Sequence, residues 1–158
     1  MSRRRHFVRL TQLIRFGSII MKAAVLYEPN TKVVVEELDI DSPHQGEVLL
    51  DMVGAGVCHS DYHYVDGHLK PRGLPLVMGH EGAGVVKEVG PGVTNVAAGD
   101  KIILSLDAMC GYCRNCSEGS PALCETHRGK FPSRISKEGK PYFHGRPTYT
   151  EQSVVLAN

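Results

Sequence analysis

An all-β barrel or sandwich is the fold class this sequence predicts, on three observations. Six or so short runs rich in Val, Ile and Leu recur along the chain. Glycine and proline punctuate them, at 17 and 9 of 158 residues, so the chain turns often. The composition, 42% hydrophobic and 22% charged, is that of an ordinary globular chain with enough apolar residues for one core.

Taken in order, "MKAAVLY" from Met21 is a first short apolar run, and "TKVVVEELDI" is a β-branched second. "GEVLLDMVGAGVC" is a third, opened and closed by glycines. Ser60 to Asp66 reads as a turn or two of helix, with Ser60 or Asp61 as its cap. "GAGVVKEVG" and "DKIILSL" follow, separated by the turn residues of "PGVTNVAAG", and "YTEQSVVLAN" is the last strand. Ser60–Leu76 and Cys110–Pro147 break the strand rhythm. Irregular segments that long inside a domain are usually functional or separately stabilised.

A formal net charge of +1 leaves no footprint for nucleic acid and no polybasic membrane patch. No apolar run approaches the roughly 20 residues of a membrane helix. The first twenty residues stand apart, with five arginines, no acid, and Phe7, Leu10, Leu13 and Ile14 at helical spacing. That is the composition of a mitochondrial transit peptide; the alternative is that Met21 is the true start and the extension is a disordered tail. The expected organisation is a basic extension over 1–20 and one domain over 21–158. The expected location is the cytoplasm, or the mitochondrion if the extension is a transit peptide.

Four of the five cysteines lie in "CGYCRNCSEGSPALC", spaced C-x2-C-x2-C-x7-C: Cys110, Cys113, Cys116 and Cys124. A loop of this composition buries too little apolar surface to hold its own shape, and a metal can hold it instead. Four thiolates make a closed tetrahedral set for structural Zn2+. Gly111 and Gly119 allow the tight turns between ligands. Two disulfides, an iron–sulfur cluster and free thiols are the alternatives. The first needs an oxidising compartment that nothing here indicates, and the spacing is not the bacterial ferredoxin run.

The fifth cysteine, Cys58, ends the third apolar run in "GAGVCHSDYHYVDGH". His80 and Glu81 follow in "LPLVMGHEGAGVV". A thiolate and an imidazole brought together would begin a second zinc site, with Glu81 as a ligand or an orienting group. On the residues alone, Cys58 reads equally as a small buried hydrophobe and His80 as a hydrogen-bonded loop histidine.

Three signatures, "GVCHSD", "GHEGAGVV" and the four-cysteine lobe, resemble the catalytic domain of the zinc-dependent medium-chain alcohol dehydrogenases. "MKAAVLYEP" and "VGPGVTNVAAGDKI" share the likeness, which covers roughly residues 21–158. The glutathione-dependent formaldehyde dehydrogenase class stands nearest. The resemblance implies a GroES-like β-barrel with a zinc-binding lobe. It implies that Cys58 and His80 are ligands of a catalytic zinc, with Glu81 the acid behind it and Asp61 the carboxylate supporting the ligand histidine. It implies Ser60 and His63 as the inner hydroxyl and outer imidazole of a proton relay, and His59 at the cofactor pyrophosphate. Cys110, Cys113, Cys116 and Cys124 correspond to the structural zinc ligands. The implied chemistry is alcohol or aldehyde oxidoreduction. Zinc acidifies the alcohol, a hydroxyl beside an imidazole carries the proton out, and NAD(P) takes the hydride.

The chain departs from that family in two ways. The third catalytic ligand of the family is a further cysteine, and no sixth cysteine is present. "GAGVCH" and "GAGVVK" each lack the third glycine of a G-x-G-x-x-G fingerprint, so no Rossmann domain is expected here. The glycines there mark bends or close strand packing instead. The expectation is therefore a fragment holding the zinc-site part of an oxidoreductase, inactive or nearly so alone, with a separate chain carrying the dinucleotide-binding half as a candidate partner. The alternative is a zinc-stabilised binding module without catalysis.

Overall fold

The computed structural model describes residues 19–127, 134–144 and 146–157. The basic extension therefore lies outside the described residues, apart from Ile19 and Ile20, which open the first strand. In chain order the elements are β1 (Ile19–Leu26), β2 (Val34–Ile40), β3 (Glu47–Gly56) and helix α1 (His59–Val65). Then come β4 (Leu76–Val77), β5 (Glu81–Val89), β6 (Lys101–Ile103), helix α2 (Arg114–Ser117) and a 3-10 turn (Pro121–Leu123). β7 (Ile135–Lys137), β8 (Lys140–Pro141), β9 (Phe143–His144) and β10 (Gln152–Leu156) complete the chain. The strands form two sheets, in the orders β8-β7-β2-β1-β4-β9 and β10-β3-β5-β6.

Side-chain alternation shows how each strand sits. β1 sends Met21, Ala23 and Val25 inward and leaves Ile20 and Lys22 outside. Its antiparallel partner β2 buries Leu38 and Ile40 and exposes Val34 and Val35. β3 and β10 are apolar on consecutive positions because both their faces are covered. Leu49 and Val154 join the cluster of Met21, Val25, Leu38 and Ile135, while Val48, Leu50 and Val155 join Val86 on the other face. Each of these side chains contributes about 1.5–3 kcal/mol on burial.

The two sheets are joined by the segment just before β10. Ala24 donates its N–H to the Tyr149 carbonyl and Glu151 donates to the Lys22 carbonyl, both on the first sheet. Met52 of the second sheet donates to the Glu151 carbonyl. One stretch of chain thus closes the barrel. Buried Glu47 adds a second tie, accepting two 2.9 Å bonds from the Arg134 guanidinium at the start of β7.

The long segment after Cys110 is less irregular than its composition suggests. It holds α2, the 3-10 turn and the short strands β7 to β9, which are too brief for periodicity to reveal. The glycines of "GAGVC" and "GAGVV" behave as expected. A Cβ on Gly84 would sit 2.8 Å from the Asp51 carbonyl, and one on Gly82 would sit 2.7 Å from Met52 Cε. β3 and β5 also shift register between Met52 and Gly54. Among the described residues, no helix is long and apolar enough to cross a membrane.

Candidate metal centres

Helix α1 begins at Cys58, which is its N-cap with extended backbone and no side-chain cap. This corrects the expected Ser60 or Asp61 cap. Both side chains are used elsewhere, so the short helix starts without them. The Ser60 hydroxyl lies 3.3 Å from Cys58 Sγ and 3.2 Å from His80 Nε2. Asp61, which is buried, places Oδ1 3.1 Å from His80 Nδ1. A proton on Nδ1 directed at that carboxylate leaves the Nε2 lone pair facing Ser60 and Cys58. Glu81 Oε1 is 3.7 Å from His80 Nε2. One donor atom each from Cys58, His80 and Glu81 lies within 4.8 Å of the others.

Two residues the sequence did not single out complete this region. The Tyr149 hydroxyl is 2.8 Å from Asp61 Oδ2 and 3.1 Å from the Gly56 carbonyl, both acceptors for its proton. Burial and the Asp61 bond push the Tyr149 phenol up to about 12. Arg146, also buried, donates to the Ser105 carbonyl, and burial holds its guanidinium below its usual range without discharging it. Neither belongs to a motif, and only the tertiary fold brings Tyr149 to a residue 88 positions earlier.

A cavity of about 460 Å³ opens beside Ser60 and His80. Leu76, Met78, Leu106 and Phe143 line its apolar part, and Arg146 reaches its wall. A small organic molecule fits such a space, with Ser60 and His80 at its polar end. His59 and His63 stand on α1 with ring centroids 4.7 Å apart. Ser60 and His63 are three residues apart on that helix and so share a face.

The four-cysteine lobe is a second centre. α2 places Cys113 at its N-cap and Cys116 in its turn, and the 3-10 turn delivers Cys124. Gly111 and Gly119 have φ of +79° and +82°, so the turns between ligands are ones glycine takes without strain. Sγ–Sγ separations are 4.0 Å for Cys110–Cys116 and for Cys113–Cys124, and all four sulfurs lie within 4.8 Å of one another. Tetrahedral thiolates on zinc at about 2.3 Å stand about 3.8 Å apart, so the set fits one ion. All five cysteines are free thiols here, not disulfides. An iron–sulfur cluster, which spreads its cysteines over several irons, fits this tight set poorly. The Cys113 and His127 backbone N–H groups point at Cys110 Sγ (3.2 Å) and Cys124 Sγ (3.4 Å), as donors to thiolates do. Asn115 closes the lobe, donating to the Leu123 carbonyl at 2.8 Å and to Glu125 at 3.0 Å.

A β-barrel domain with a closed four-cysteine lobe and an open Cys–His–acid set is the class of protein that this fold and these sites define. Residues 44–157 match the model of the alcohol dehydrogenase GroES-like domain, and the chain belongs to that family. It is 50% identical over 149 residues to an NDMA-dependent alcohol dehydrogenase of Amycolatopsis methanolica, covering 85% of this chain and 40% of the relative. It is 41% identical over 150 residues to the S-(hydroxymethyl)glutathione dehydrogenase of Haemophilus influenzae, covering 88% and 39%. Among solved structures, the cobalt- and zinc-bound thermostable alcohol dehydrogenase of Pyrobaculum aerophilum superposes with a TM-score of 0.69 at 36% identity, covering 88% of this chain and 40% of that one. The chain thus spans about 40% of the length of the curated relatives it matches.

Proposed function

We propose that this chain is the zinc-binding part of an NAD(P)-dependent alcohol or aldehyde oxidoreductase. One observation carries the reading: the Ser60 hydroxyl stands between Cys58 Sγ and His80 Nε2 at the polar end of an apolar cavity. Cys58, His80 and Glu81 would hold the catalytic ion, and Cys110, Cys113, Cys116 and Cys124 the structural one. The catalytic zinc, when bound, supplies a Lewis acid that makes an alcohol acidic near neutral pH. The chain's own residues do the rest. Asp61 and Tyr149 fix the His80 ring. Ser60 receives the alcohol proton, and His63, at the helix's outer end, passes it to solvent. Leu76, Met78 and Phe143 exclude water and hold the carbon skeleton, and His59 meets the cofactor's pyrophosphate. The dinucleotide-binding part would come from outside residues 19–157.

Elemental analysis with thiol titration tests the metal part. The lobe should hold one zinc against mild chelation, and a weaker second zinc should vanish in Cys58→Ala. A chimera in which residues 19–157 replace the matching part of a relative tests the chemistry. Ser60→Ala should slow its alcohol-dependent NAD(P) reduction by roughly 10²–10⁴-fold. Lobe zinc with an inert chimera would overturn the catalytic reading in favour of a zinc-stabilised binding module.

A further inference from the structure

Beyond the two ligand sets above, the end of α1 gathers a third. Asp66 is the helix C-cap, and its N–H bonds to the Tyr62 carbonyl at 2.8 Å. The chain then turns back, so that the Leu69 N–H reaches the His63 carbonyl at 2.8 Å. His68 is carried over the last helical turn. His68 Nδ1 comes to 2.9 Å from Asp66 Oδ1, and His63 Nδ1 to 3.5 Å from Asp66 Oδ2. The two imidazole rings are 5.5 Å apart, and one donor atom of each of the three residues lies within 4.8 Å of the others.

A pair of surface ion pairs is the plainest account of this cluster. It leaves one feature unexplained. His63 Nδ1 is shielded from solvent and makes no hydrogen bond among the described residues, since the 3.5 Å approach to Asp66 lacks hydrogen-bond geometry. That nitrogen and Asp66 Oδ2 thus face each other without a bond, while Asp66 Oδ1 accepts the His68 backbone N–H at 3.0 Å. A cation about 2.0–2.2 Å from two donors sets them roughly 3.0–3.5 Å apart; the His63–Asp66 separation of 3.5 Å meets this, and the 2.9 Å His68–Asp66 contact would have to open slightly to admit the ion.

We propose that His63, Asp66 and His68 form a third metal site, one that takes a borderline divalent cation such as Ni2+, Cu2+ or Zn2+. Two imidazoles and a carboxylate suit these ions, and the absence of thiolate makes the site weaker than the lobe. His68 is 74% exposed, so the ion would exchange with solvent rather than stay resident. Occupancy would also hold His63 by Nδ1 and compete with its relay role. That consequence rests on the function proposed above; the binding itself does not.

The test uses the whole chain carrying Cys58→Ala, which removes the competing second set, saturated with zinc, cleared of loosely held ion, and then dialysed to equilibrium against Ni2+. This parent protein should take up one nickel. His68→Ala and Asp66→Asn should each bind it about tenfold more weakly or worse, because losing a ligand costs no less than losing an outer partner of one. Unchanged lobe zinc in both variants shows that they are folded. Paramagnetic broadening should reach the His63 and His68 ring protons before those of His59 or His80. Equal nickel uptake by all three proteins, or broadening centred on His80, overturns the site. Nickel uptake that leaves turnover of the chimera untouched keeps the site and overturns the relay role of His63. Slowed turnover without nickel at His63 and His68 overturns the site and keeps the relay.

Discussion

Replacing Tyr149 by phenylalanine removes one oxygen and keeps the ring. In the folded chain that oxygen donates toward Asp61 Oδ2 at 2.8 Å and the Gly56 carbonyl at 3.1 Å. Asp61 is only 6% exposed, so water cannot readily replace the lost donor. Losing a hydrogen bond to a buried charged group costs about 1.5–3 kcal/mol. Asp61 also orients His80 through the 3.1 Å contact to Nδ1. Losing Asp61 itself would weaken metal binding roughly 10–100-fold, or about 1.4–2.7 kcal/mol, and Tyr149→Phe, which leaves Asp61 in place, should weaken it by no more than that. Denaturant unfolding of the metal-free chain measures the first. Competition with a chromophoric chelator for the weaker zinc measures the second, and the lobe zinc serves as internal control. An unfolding midpoint and a chelator curve both indistinguishable from wild type would refute the role given to Tyr149. Loss of lobe zinc as well would show a global fault instead.

Three further outcomes are expected. Burial opposes the charge on Glu47, but Arg134 and the His44 N–H outweigh it and hold the carboxyl below its usual value of 4.5. The stabilisation is therefore fully present above that pH and is lost as pH falls through the lower folded value. Glu47→Gln should cost roughly 2–3 kcal/mol at neutral pH, since Arg134 remains partly solvated, and should flatten the acid limb of a stability–pH curve. In the metal-free lobe, burial resists ionisation of Cys110, but the Thr126 hydroxyl and the Tyr112 and Cys113 N–H groups bring it down to about 6. Burial pushes Cys116 up to about 11. At roughly pH 8, iodoacetamide followed by peptide mapping should find Cys110 modified well before Cys116; equal rates would contradict the lobe's local electrostatics. Finally, Gly79 has φ +92° and would put a Cβ 2.8 Å from the Tyr149 backbone nitrogen. Gly79→Ala should displace His80, so that chelator competition shows the second zinc lost and the lobe zinc kept.

The lobe was legible in the sequence because its ligands are local. Four cysteines within fifteen residues, with glycines at the turns, come close enough to hold one ion whatever the barrel does around them. The strand class was legible too, since Val- and Ile-rich runs between glycines hardly form anything else. Cys58 and His80 were suggested by motif and resemblance, and they lie 22 positions apart. Their meeting depends on β3 lying beside β5, with Gly56 opposite Glu81. The strands of 135–144 escaped notice because two- and three-residue strands carry no period. By itself, then, the sequence determined the β class, the lobe and the residue types of the second site. Only the tertiary structure decided that Tyr149 locks Asp61 and that the segment before β10 closes the barrel. The physical reason is that a coordination lobe forms from contacts along the chain, whereas burial, register and side-chain orientation arise only when distant segments pack.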